Sequence, residues 1–356
     1  MATPAGNLYE ASQGQLMWRR FRKHRVAYWC LLLVVALYAL CLACPWVAPY
    51  DPARIFQDHV GQPPQPLRVG WVPGYRLPRV YVHPWRLQQD AVTLARKYEL
   101  DRTTRVPLLL LVRADGGWRL FGTPAGTPAF LLGTNKLGQD VLSRVLYGGR
   151  ISLLLGLTGV LLTFVFGIAL GGISGYYGGT IDMIIQRAAE MLQSVPKIPI
   201  WLALAAAIPK SWTSLQVYFG MTVILGCIGW TGLAVTVRGK LLSLRQEDYA
   251  RAALLVGASE LRTIFVHLMP NFLSHIIASL TLAVPGMILA ETALSFLGLG
   301  MQPPMVSWGV LLQETRNPGV ILDQPWLLLP AVAVILAVVA MNFVGEGLRD
   351  AADPYS

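Results

Sequence analysis

The chain has 356 residues, of which 54% are hydrophobic and 13% charged, with a formal net charge of +10. Soluble domains carry about 25% charged residues, so a soluble globular protein is excluded, and four cysteines point to no disulfide framework. The positive charge does not read as nucleic-acid binding, because Arg19, Arg20, Arg22, Lys23 and Arg25 sit directly before an apolar run, like a cytoplasmic flank facing anionic lipid.

Taken in chain order, residues 1–26 are expected to form a cytoplasmic amino-terminal segment and 27–48 a first membrane span. About 20 apolar helical residues cross a bilayer core. This run leads into Pro45, Trp46 and Pro49 rather than a small-residue cleavage site, so it is expected to be retained. Cys41 and Cys44 lie within it at C-x-x-C spacing. With no histidine or acidic neighbour they read as small apolar fillers. Residues 49–130 are expected to be an external, partly β insert. Its first part is proline-rich, and Val106 to Gly122 reads as two short strands around Asp115, Gly116 and Gly117.

A second span is expected from Ile151, ending in a glycine-rich bend at Gly171 to Gly179. The third, Met183 to Pro209, is interrupted by Arg187, Glu190 and Lys197. Charge asymmetry calls for it, since it places the loop with Arg238, Lys240, Arg245, Arg251 and Arg262 inside. A fourth span is expected over about Gln216 to Val237, a fifth over about Phe272 to Leu294 with a bend at Pro285 and Gly286, and a sixth over about Pro325 to Gly345. The sum is an all-α integral membrane protein with six spans and both termini cytoplasmic.

Charges inside spans usually face a protein interior or a wet path. Glu190, His275 and Glu291 are therefore translocation-path candidates. Glu190 also fits a plain cytoplasmic extension of the third span, paired with Arg187 three residues away. His275 reads as an interhelical hydrogen-bond donor, since no second metal ligand sits at a usable spacing. Glu291 fits a path or the outer end of its helix. No G-x-x-x-x-G-K-[ST], H-E-x-x-H or G-x-S-x-G occurs. The chain is not expected to be an enzyme, and its energy must come from an ion gradient or another polypeptide.

The stretch EDYARAALLVGASELRTIFVHLMPN, Glu247 to Asn271, is a charged, helix-prone loop between apolar runs. Ala252, Ala253, Gly257 and the distal Pro270 resemble the coupling motif of permeases from binding-protein-dependent ABC importers, with Arg251 where the broad pattern favours glutamate. Four further blocks narrow the resemblance to the dipeptide, oligopeptide and nickel permease group, dipeptide permease C type. They are Leu131 to Leu153, Gly175 to Pro196, Glu291 to Gln313 and Asn342 to Pro354.

The resemblance implies a type I ABC importer permease fold, with a conserved core at 131–356 and a coupling helix at about 246–262. Coupling would fall to Arg251, Ala252, Ala253, Leu254, Gly257, Leu261, Phe265 and Pro270, with Leu255 as a further apolar anchor. It implies a homologous second permease, two cytoplasmic ATPases, a periplasmic or lipid-anchored binding protein, and a location in a bacterial inner membrane among its lipids. ATP and magnesium would be used by the partners, with no cofactor or metal held here and no nucleic acid bound. A peptide is the expected cargo. A nickel chelate, an opine or a glycoside is the alternative within the same machinery, and an ion-coupled transporter the alternative outside it.

Overall fold

The computed structural model of the protein describes residues 13–89, 96–114, 117–124, 126–259 and 262–352. A short helix α1 (Gln13–Lys23) precedes α2 (Arg25–Leu42) and α3 (Cys44–Val47). The insert follows with seven short strands among its described residues: β1 (Arg68–Gly70), β2 (Arg79–Val82), β3 (Trp85–Gln89), β4 (Arg96–Leu100), β5 (Val106–Pro107), β6 (Leu109–Ala114) and β7 (Gly117–Gly122). Then come α4 (Val141–Tyr177), α5 (Gly179–Ser194), α6 (Lys197–Ala206), α7 (Ser214–Leu244) and α8 (Asp248–Leu255). The last four helices are α9 (Leu273–Phe296), α10 (Trp308–Leu312), α11 (Pro318–Asp323) and α12 (Leu329–Ala352).

Five helical stretches among the described residues are long and apolar enough to cross a membrane: α2, α4, α7, α9 and residues 325–352 ending in α12. The third expected span is instead two helices. Val195 is extended, with φ −97° and ψ 134°, and Pro196 follows it, so α5 stops there and the 10-residue α6 starts anew. The residue before a proline is pushed out of the helical region, which accounts for the break. Pro285 lies inside α9, which continues through it.

The expected bend at Gly171 to Gly179 is not a bend over most of its length. Helix α4 begins ten residues before Ile151 and continues to Tyr177. Its glycines serve close approach instead. A Cβ on Gly171 would lie 2.6 Å from the Ala234 carbonyl oxygen, and one on Gly175 would lie 2.9 Å from the Arg238 Cα. Small residues at this four-residue spacing let two membrane helices meet backbone to backbone.

The chain divides into two compact units, one of residues 1–35, 154–294 and 335–356, the other of 36–153 and 295–334. In the first, Phe21 and Ala27 are buried against Val344 and Ala351 of α12. Ala189 of α5 packs with Trp230 and Ala234 of α7. In the second unit, β2 pairs antiparallel with both β1 and β5, and β3–β4 and β6–β7 form separate hairpins. The β6–β7 register sets Ala114 opposite Gly117, and the turn residues Asp115 and Gly116 lie outside the described residues.

Two blocks far apart in sequence meet in the second unit. Trp308 is buried; its Nε1–H donates to the Val145 carbonyl at 3.0 Å and its backbone N–H to Ser152 Oγ at 3.1 Å. Gly149 leaves room for its ring, since a Cβ there would lie 2.8 Å from the Trp308 Cζ2. Arg144 Nη1 pairs with Glu314 Oε1 at 3.0 Å, and Asn135 Nδ2 donates to the same oxygen at 2.9 Å.

Candidate coupling site

Helix α8 starts one turn beyond the end of α7, with Asp248 in its first turn, where a carboxylate suits the helix dipole. Ala250 is buried in a cluster with Val237 and Leu241 of α7 and with Leu268, Phe272 and Ile276. The opposite face looks outward. Arg251 and Ala252 are exposed, Ala253 is half-buried, and Leu255 and Val256 are each 89% exposed. Ala252, Leu255 and Val256 stand at i, i+3 and i+4, so they form one apolar face on the outer side.

The helix is shorter than the expected 246–262, and Gly257 is the reason. It has φ +89°, and the Ala258 N–H reaches back to the Ala253 carbonyl at 3.0 Å. That is the Schellman arrangement with glycine at the left-handed C′ position, which ends a helix and satisfies its last carbonyls. A Cβ on Gly257 would meet nothing within 4 Å. Beyond it the chain makes a π-helical stretch, Thr263–Leu268, and a 3₁₀ turn, Met269–Phe272, which carry Ile264, Leu268 and Phe272 into the interior.

The end of α7 is tied to its neighbours by charge. Arg238 donates to both oxygens of Asp182 at the start of α5, each at 2.5 Å. Asp182 also accepts from the Ser174 hydroxyl on α4. The bond from Arg238, with help from Ser174, holds the Asp182 carboxyl below the usual carboxylate range. Arg245, one residue past α7, donates to the Tyr176 carbonyl at 2.9 Å, at the end of α4 where helix carbonyls lack partners. The segment before α8 is thus pinned to the ends of α4 and α5.

Of the residues expected to couple, Arg251, Ala252, Ala253 and Gly257 lie on or just after α8, toward solvent to the degrees described above. Leu261 lies outside the described residues, as do the side chains of Leu254, Phe265 and Pro270. The three path candidates occupy three different environments. Glu190 is exposed and paired with Arg187 at 2.8 Å. His275 is half-buried on α9, and Glu291 on the same helix is fully buried. Val256 belongs to the outer face and was legible as the i+4 neighbour of Ala252. Asp182, Arg238 and Arg245 had no such signal, because their partners lie on other helices.

A family model described as the binding-protein-dependent transport system inner membrane component matches residues 167–355. A second, the N-terminal TM domain of oligopeptide transport permease C, matches residues 12–64. The chain is 39% identical over 242 residues to the oligopeptide transport system permease protein OppC of Haemophilus influenzae, covering 67% of this chain and 75% of that one. It is 39% identical to the dipeptide transport system permease protein DppC of Bacillus subtilis, covering 62% and 68%. It is 29% identical to the di/tripeptide transport system permease protein DppC of Pseudomonas aeruginosa over 95% of this chain and 90% of that protein.

Proposed function

Since the chain belongs to the family of binding-protein-dependent transport system inner membrane components, we propose that this multi-pass inner-membrane permease subunit imports dipeptides or oligopeptides as half of a permease pair. The relatives that match it are permeases of oligopeptide, dipeptide and di/tripeptide systems, which supports a peptide cargo. ATP hydrolysis, with its magnesium, belongs to two separate cytoplasmic subunits, and a binding protein on the outer side delivers the peptide. In this reading there are six spans, the third formed by residues 183–209 across α5 and α6, with both termini, the turn up to Asp182 and α8 in the cytoplasm and the insert outside.

The observation that carries this reading is the outward apolar surface at the end of α8, where Leu255 and the next residue, Val256, are each 89% exposed while the other side of the helix is anchored. A short helix that presents apolar residues to water suits a groove on a partner. Closure of the ATPases would shift the population of pore orientations. The Arg238–Asp182 pair and the Arg245 contacts would carry a displacement of α8 to the ends of α4 and α5.

The test is ATP-dependent uptake in proteoliposomes holding both permeases, the ATPases and the binding protein, with mass spectrometry of what the binding protein retains. Peptides of a few residues are expected in both. Exclusive retention of a metal chelate or a sugar, with no peptide uptake, overturns the cargo.

A further inference from the structure

Residues 49–59, the β6–β7 hairpin and the turns after it enclose a cleft of about 530 Å³, wholly within the second unit. That is the size range of small-molecule sites. Tyr50 and Phe56 line it and belong to a packed aromatic group that continues behind them to Phe130. Tyr50 and Phe56 meet edge to face with ring centroids 5.0 Å apart, and Phe56 meets Phe130 in the same way at 5.0 Å. Tyr50 is fixed from behind. Its hydroxyl accepts from the Ala129 N–H at 2.9 Å, and its own N–H donates to Ser143 Oγ at 3.1 Å.

Among the described residues, Arg54, Arg113 and Arg119 line the cleft together with one acidic residue, Asp58. Arg54 lies over the Phe56 ring, 5.0 Å from its centroid, and Arg119 donates to the Pro49 carbonyl. Arg113 is exposed on β6. Like charges gathered around one cleft focus a field that attracts an anion. Val112, Phe121, Pro124 and Pro128 add apolar wall beside them, so the anion that fits best carries an apolar body.

We propose that this cleft binds a short peptide by its free carboxylate, which the arginines hold while an apolar side chain lies on the Tyr50 and Phe56 rings. Guanidinium and carboxylate match in planar, two-pronged geometry, and aromatic faces accept side chains of many shapes. The proposal rests on the peptide reading above, and it adds a station for the cargo on this chain, outside the spanning helices.

The experiment uses the whole importer in lipid nanodiscs without its binding protein, with calorimetric titration of the tripeptide Ala-Phe-Ala and of its carboxy-terminal amide. The free acid is expected to bind about tenfold or more tighter than the amide, the effect of a charge-assisted hydrogen-bond set. Arg113→Gln and Arg54→Gln, both at exposed positions, are expected to bring that ratio toward one with thermal unfolding unchanged. Arg113→Lys is expected to restore part of it. Equal binding of acid and amide, no binding of either, or a ratio unmoved in both glutamine variants overturns the proposal. Peptide uptake by the complete importer is measured in parallel. Uptake without binding at the cleft overturns the cleft and leaves the cargo reading standing, and acid-selective binding without uptake overturns the cargo reading alone.

Discussion

Arg238 on α7 grips Asp182 on α5 through two parallel hydrogen bonds, Nε to Oδ1 and Nη2 to Oδ2, each 2.5 Å long. Such a pair is directional as well as charged. Asp182→Asn is expected to lower stability by roughly 2 kcal/mol, the range for hydrogen bonds to a charged partner, read as a lower Tm of the purified protein in detergent. Uptake should fall further than the loss of folded protein explains, because the link between α7 and α5 loosens. Unchanged uptake per folded molecule would remove this pair from the coupling route.

The same pair predicts a pH dependence. The folded-state pKa of Asp182 is depressed, chiefly by the bond from Arg238. A depressed carboxylate contributes stability in full above its unfolded pKa of about 4, and that contribution is lost as pH falls through the lower folded value. The Tm of the wild type should therefore fall more steeply below about pH 4 than that of Asp182→Asn. Parallel curves would show that the carboxylate has no folded-state advantage.

Gly257 separates backbone strain from docking. Alanine and tryptophan there meet the same penalty at φ +89°, about 1–2 kcal/mol, and neither meets a neighbour in this chain at its Cβ. If the outer side of this turn seats in a partner, Gly257→Trp should abolish ATP-driven uptake while Gly257→Ala retains much of it. Equal defects in the two would assign the whole effect to the helix cap.

Leu255 and Leu268 form a second contrast. Leu255 is 89% exposed and Leu268 fully buried. Leu255→Ser should change stability by no more than about 0.5 kcal/mol, as surface changes usually do, yet weaken co-purification of the ATPase subunits. Leu268→Ala should cost about 2–5 kcal/mol through the cavity it leaves. A large Tm loss for Leu255→Ser would mean that its face belongs to the fold rather than to a partner.

Gly171 and Gly172 test the close approach of α4 and α7. A methyl at Gly171 meets the Ala234 backbone, with Cα 2.8 Å away, and backbone cannot step aside cheaply; one at Gly172 meets nothing within 4 Å. Gly171→Ala is expected to destabilise by about 1–3 kcal/mol. Gly172→Ala should be neutral or stabilise by up to about 1 kcal/mol from helix propensity. Detergent melts of the two variants distinguish them, and equal Tm values would sink the packing account.

Membrane placement was legible because its cause is local. Runs such as 27–48 and 325–345 are apolar over the thickness of a bilayer core, and that property needs no partner to be read. The hairpin expected over Val106 to Gly122 was likewise written in a turn signal between two β-prone runs; β6 and β7 pair across it from Leu109 to Gly122, while Val106 and Pro107 form β5 and pair with β2 instead. Ala252 and Gly257 stood out as small residues in a charged loop, and both are exposed.

Where glycine was ambiguous, sequence reasoning failed. Gly171 to Gly179 can mark a bend or a contact, and only the position of Ala234 and Arg238 on another helix decides for contact. The Arg238–Asp182 pair joins residues 56 apart, and Trp308 reaches a carbonyl 163 residues back. Hydropathy and turn chemistry are properties of neighbours along the chain, and the sequence by itself determined what followed from them: apolar spans, short strands and a charged helical loop between spans. Burial and ion pairing depend on which distant segments pack together, so only the tertiary structure decided that Leu255 faces out, that Leu268 faces in, and which charges tie the segment before α8 to the ends of α4 and α5.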